Sequence, residues 1–163
     1  MAAVDKSKYE IFEVESNHKD PSKRRVVDIS QGVVAFTYFE NIMSPTLTAR
    51  VIVVNTGGGV SDDEGNMIGV YNGLPFRGGE RVIIKIKSNS NNNQDLDFSQ
   101  DTTKYFFVSS VGDVMVEAQK EIFTLNLISR EAITNETIRV GKKFPVSQKI
   151  SDSVEAVSYT HLR

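Results

Sequence analysis

The stretch from Gly32 to Thr56 limits the fold of this chain more than any other. Two runs rich in β-branched and aromatic residues, Val33 to Glu40 and Thr46 to Asn55, flank Asn41-Ile-Met-Ser-Pro45. Residues of these types fit a pleated surface, so the stretch reads as strand, sharp connection, strand. Pro45 has no N–H to give to a ladder and pushes Ser44 out of the helical region, which fixes the turn. In the second run Leu47, Ala49, Val51 and Val53 share one face, with Thr48 and Arg50 opposite. By Ile52 and Val54 both faces are apolar, and that end is expected to be buried on both sides.

The remaining chain supports the same class. Its 163 residues, 39% hydrophobic, are enough for one domain with a real core. The net charge of -2 argues against nucleic acid and against anionic membrane surfaces as partners. Cysteine is absent, which removes disulfides, thiolate metal sites and cysteine nucleophiles together. The first ten residues carry charge where a signal peptide needs an apolar run, and no apolar run approaches the roughly 20 residues that span a bilayer.

Tyr9 to Ser16 and Val26 to Ile29 read as short strands around a charged turn. Lys23, Arg24 and Arg25 in that turn are too few for a nucleic-acid footprint and read as solvated. Gly57 to Gly69 contains glycines but neither the lysine of a P-loop nor a dinucleotide fingerprint, and reads as a connector. Asp62, Asp63 and Glu64 lack the spacing of an EF-hand. Arg81 to Lys87 has period-two alternation, the mark of a half-buried strand. Ser88 to Thr103 is polar and of low complexity, and reads as a flexible hairpin tip.

Tyr105 to Val111 and Glu121 to Ser129 form a further strand pair, with a connection long for a tight hairpin. About seven strands without alternating helices argue for a mainly β fold, a small antiparallel β-barrel or barrel-like sandwich, followed by a short C-terminal helix start. The barrel is expected over residues 1–129. Residues 130–156 read as a lead-in: a short helical turn at 130–137, a last strand from Ile138 to Phe144, and a helix opening at Ser151. Asp152 and Glu155 have capping-box spacing there. The last seven residues, 157–163, resemble translated sequencing-adapter read-through, and the natural sequence is expected to stop near Ala156.

Chemistry is sparse. His18 lies in a polar turn with no second histidine at ligand spacing, so the usual zinc, non-haem iron and serine–histidine sets are missing. No metal or cofactor is expected. Among 21 acidic residues Glu40 is the best single candidate for a catalytic carboxylate, and a capping or ion-pair role suits it better. Tyr38, Phe39, Phe106 and Phe107 read as core residues rather than a stacking platform.

Several segments resemble, in order, the N-terminal part of the baseplate central hub protein of T-even-type contractile-tailed bacteriophages. They are Phe36 to Asn55, Leu74 to Val82, Phe123 to Glu136, Arg139-Val140 and Ile150 to Val154, within a likeness that covers roughly Tyr9 to Ala156. The resemblance implies a structural subunit of the virion, assembled in the host bacterial cytoplasm. Such hubs are trimers with two related β-barrels per chain, giving a nearly sixfold ring that joins the tail tube to the central spike. It implies no catalytic residue, and the partners would be other copies of the chain, the tube and the spike; the charge and hydropathy already leave no nucleic acid and no membrane partner expected. From position alone, the expected contact regions are the strand edges and the turns that carry Glu40, Pro45, Pro75, Phe76, Arg77 and Arg81. The alternatives are a free-standing β module that binds carbohydrate or peptide, and a small hydrolase using Glu40.

Overall fold

Alternating apolar residues along successive segments become one curved antiparallel sheet. The computed structural model describes residues 7–161 except 57, 58, 62, 63, 75, 91, 118, 119, 140 and 142, with backbone alone for 158–161. Its strands are β1 (Lys8–Glu15), β2 (Val26–Asp28), β3 (Val33–Phe39), β4 (Thr48–Asn55), β5 (Val60–Ser61), β6 (Met67–Ile68), β7 (Arg81–Lys87), β8 (Leu96–Asp97), β9 (Phe106–Glu117) and β10 (Lys120–Ser129). Three helices complete it: α1 (Val70–Gly73), α2 (Arg130–Thr137) and α3 (Ile150–His161). The main sheet runs β2-β1-β7-β9-β10-β4-β3, with β8 added to β7, while β5 and β6 form a separate small hairpin.

The mainly β, antiparallel class expected from the sequence holds, but the sheet is not closed into a barrel. β2 and β3 lie at opposite ends of the strand order and share no ladder. They are nonetheless joined by only the residues from Ile29 to Gly32, and Ile29 N–H donates to Phe12 O across 2.8 Å. The Phe12 ring on β1 meets Phe36 on β3 edge to face, with centroids 6.1 Å apart. A peptide link and side-chain packing thus draw the two ends together where a barrel would have hydrogen bonds. The opposite side has a second narrow point, because β7 and β9 pair only at Arg81 with Phe107 and Val82 with Phe106. Gly79 N–H to Val108 O and Val108 N–H to Glu80 O extend that junction.

The core fills the concave face. Phe12 and Val14 from β1, Val82 and Ile84 from β7, Phe106 and Val108 from β9, Phe123, Leu125 and Leu127 from β10, and Val51 and Val53 from β4 are all buried. Each such side chain contributes about 1.5–3 kcal/mol relative to staying in water. Ile52 and Val54, expected to be covered as well, are half-buried. Their outward face is therefore only partly screened.

Four segments differ from the sequence reading. The connector at 57–69 contains the β5–β6 hairpin. The polar stretch at 88–103 carries β8, and Phe98 beside it packs edge to face on Phe106 with centroids 5.0 Å apart. A single phenylalanine in contact with the core anchors a segment whose composition reads as flexible. The long connection after Val111 is a continuation of β9 through a bulge: Gly112 pairs with Thr124 and Met115 with Ile122, leaving Asp113 and Val114 opposite Phe123. Asp113 takes a positive φ of 52° there. The strand expected from Ile138 to Phe144 is absent among the described residues of that stretch, whose sequence carries three basic residues and Gly141.

Candidate interaction surface

The two turns expected as contact regions end up in different settings. The β3–β4 turn is shaped by its own side chains. Asn41 Oδ1 accepts from Met43 N–H at 2.9 Å, Ser44 N–H donates to Asn41 O at 2.8 Å, and the Ser44 hydroxyl donates to Thr46 O at 3.1 Å. Such local bonds fix a turn without burying it. Its foot is tied to the sheet by Ser129 N–H donating to Leu47 O at 3.0 Å and Leu47 N–H to Ser129 Oγ at 3.1 Å. The result is a fixed turn that holds Ile42 at 99% and Met43 at 87% exposure, beside Phe39 at 55%. Phe39 is thus not the core residue that its type suggests.

Glu40 and Pro45 are both exposed on this turn. The Tyr38 hydroxyl donates to Glu40 Oε2 at 3.0 Å. Burial of the phenol, the hydrogen bond and the nearby carboxylate charge together push Tyr38 up to about 12. Glu40 therefore sits at the root of the turn as a partner for a phenol.

The Leu74–Glu80 turn is built into the core. Leu74 and Glu80 are buried. The Glu80 carboxylate accepts from Arg77 N–H at 2.7 Å and Gly78 N–H at 3.1 Å, which compensates its removal from water. Gly78 and Gly79 have φ of 90° and 84°, a region where a Cβ is strained. Phe76 packs against Tyr71 and Phe123 with centroids at 6.1 and 5.7 Å, so it serves the core more than the surface. Arg81 is ion-paired with Glu15, and Arg77 is exposed. Pro75 lies outside the described residues. The same end of the molecule is pinned by buried Glu121, which accepts from Asn55 Nδ2 at 3.1 Å and Tyr71 N–H at 3.3 Å. A Cβ on Gly69 would overlap that carboxylate.

The expected contact residues are not brought to one place. Thr48, at the foot of the first turn, pairs with Ile128, whereas Phe76 packs on Phe123. Those β10 residues are roughly 17 Å apart at about 3.4 Å per residue. A second apolar surface, unforeseen in the sequence, lies at the far end of the same strand. Val114, Met115 and Val116 on the β9 extension are 42%, 55% and 47% exposed. From Ser109 onward β9 has β10 as its only ladder partner among the described residues, which leaves its other edge open. The Ile42–Met43 pair could have been found by noting two large apolar residues in a turn with no strand to bury them. The β9 tip could not, since the bulge hides its alternation.

No metal-binding group of three or more His, Cys, Asp or Glu side chains occurs among the described residues, and no described helix is long and apolar enough to cross a membrane. None of the known protein families, curated proteins or solved structures matches this chain.

Proposed function

We propose that this chain is a structural subunit of a phage tail baseplate hub, working through its surfaces as part of a ring between the tail tube and the central spike. The observation that carries the reading is the pair of exposed apolar surfaces at opposite ends of one sheet. Ile42 and Met43 lie beyond Thr48, and Val114 to Val116 lie near Asn55 and Glu121, at the other end of the eight-residue β4–β10 ladder. That ladder spans roughly 24 Å at about 3.4 Å per residue. Exposed apolar side chains held on ordered backbone suit contacts with neighbouring subunits. A subunit that grips one neighbour at each end is what an adapter between two assemblies requires.

The placement of the hub-like segments supports the same reading. Phe36 to Asn55 covers the second half of β3 and all of β4, Phe123 to Glu136 covers most of β10 and of α2, and Leu74 to Val82 packs on Phe123 through Phe76. Segments separated in sequence thus fall on adjacent elements, β10, β4 and β3 being neighbours in the sheet.

Sequencing the source DNA across the end of the gene, followed by sedimentation and electron microscopy of the resulting protein, tests the proposal. A three-copy ring is expected, lost on replacing Ile42 and Met43 together by Ser. A protein that remains monomeric at all concentrations and binds a glycan or peptide tightly would instead identify a free-standing binding module.

A further inference from the structure

The charged turn before β2 and the turn before β7, each a solvated stretch when considered alone, meet in the folded chain. Asn17 Nδ2 donates to Gly78 O at 3.0 Å, which ties the two turns together. Next to this tie, Arg24 and Arg81 approach the same oxygen, Oε1 of Glu15, and Arg24 is also held by its Nε donating to His18 O at 3.1 Å. Lys23 and Arg77, both exposed, flank the two arginines in the chain. Asp20 is engaged within its own turn, where the Ser22 hydroxyl and N–H hold its carboxyl below the usual carboxylate range.

We infer that this face, formed by Arg24 and Arg81 around Glu15, with exposed Lys23 and Arg77 on the same two turns, is a docking surface for a carboxylate-rich segment of a partner protein. Two guanidiniums that share one carboxylate leave a local excess of positive charge, and each keeps N–H donors beyond those spent on Glu15 and His18. Glu15 shows which chemistry the pair accepts, since it occupies the place that an incoming carboxylate would extend. The arginines are preorganised by Glu15 and His18, so less side-chain freedom is lost on binding. A nucleic acid fits less well, because four cations make a small footprint for a long phosphate backbone. The inference does not depend on the hub assignment.

The test is fluorescence anisotropy of the whole chain with a labelled glutamate-rich peptide, and separately with labelled oligothymidylate, at low and at physiological salt. The peptide is expected to bind at low salt and to weaken as salt rises. Joint replacement Lys23→Glu and Arg77→Glu, at exposed positions, is expected to lower peptide affinity by about tenfold. Glu15→Gln removes the internal counter-ion, so peptide affinity should rise by about threefold even as the melting temperature falls, a combination that a merely structural role would not produce. Should Glu15→Gln fail to fold, the double charge reversal decides alone. The inference is overturned by an absence of peptide binding at low salt, by unchanged affinity in the double variant, by lower affinity in a folded Glu15→Gln, or by oligothymidylate that binds as tightly as the peptide.

Discussion

The β3–β4 turn and the Leu74–Glu80 turn look alike as sequence, each a proline-containing break between an apolar run and a strand, but their structures put them to opposite uses. In the second, a buried carboxylate holds two backbone N–H groups and Phe76 joins an aromatic cluster, so the turn belongs to the core. In the first, Asn41 and Ser44 fix the backbone locally and the largest side chains face water. Order alone therefore does not tell what a turn is for. The direction of its apolar groups does.

The sharpest way to break this comparison is to remove the buried clamp. Glu80→Ala removes the buried acceptor of two backbone N–H groups and should destabilise the chain by about 1–3 kcal/mol in urea unfolding. A loss below about 1 kcal/mol would mean that the turn is held by packing alone. Next in size, Gly79→Ala introduces a Cβ at φ 84° and within 2.8 Å of Asn17 Nδ2. A cost of about 1–2 kcal/mol is expected, mostly backbone strain, since the Asn17 amide can move.

At the root of the other turn, Glu40→Gln should bring Tyr38 ionisation down from about 12 toward its ordinary value, read from phenolate absorbance against pH. The native Tyr38 holds its proton more tightly than an unfolded tyrosine. Its contribution to stability is therefore complete below the unfolded pKa of about 10 and is lost as pH rises through the folded value. An unshifted titration curve in the variant would assign the effect to burial alone. The smallest effect on the fold belongs to the Ile42→Ser and Met43→Ser pair, expected to change stability by no more than about 0.5 kcal/mol. A larger loss would show that the exposed turn supports the sheet after all.

Much of the sheet was legible because its strands obey period two. Arg81 to Lys87 was delimited by its alternation, and Phe123, Leu125 and Leu127 mark the inward face of β10. The sequence conceals the places where tertiary contact overrides local composition. Phe98 draws a polar stretch into the structure, and the bulge at Asp113 carries β9 past the point where its pattern lapses. Barrel closure was also illegible, because it depends on whether the two end strands can reach hydrogen-bonding register, and the approach of the two ends shows in the packing of Phe12 on β1 against Phe36 on β3. At the surface, the sequence located both turns but not which side chains they present to solvent. Phe76 and Arg81 are engaged inside the chain, while Ile42 and Met43 are presented.

The two narrow points of the sheet are of different kinds, one covalent and one a short ladder. On one side Ile29 to Gly32 is covalent and acts as the spine of a book; on the other, the short β7–β9 junction is its fore-edge. Parting the two covers at the fore-edge would cost the short β7–β9 ladder at Val82 and Phe106, whereas parting them at the spine would require breaking the chain.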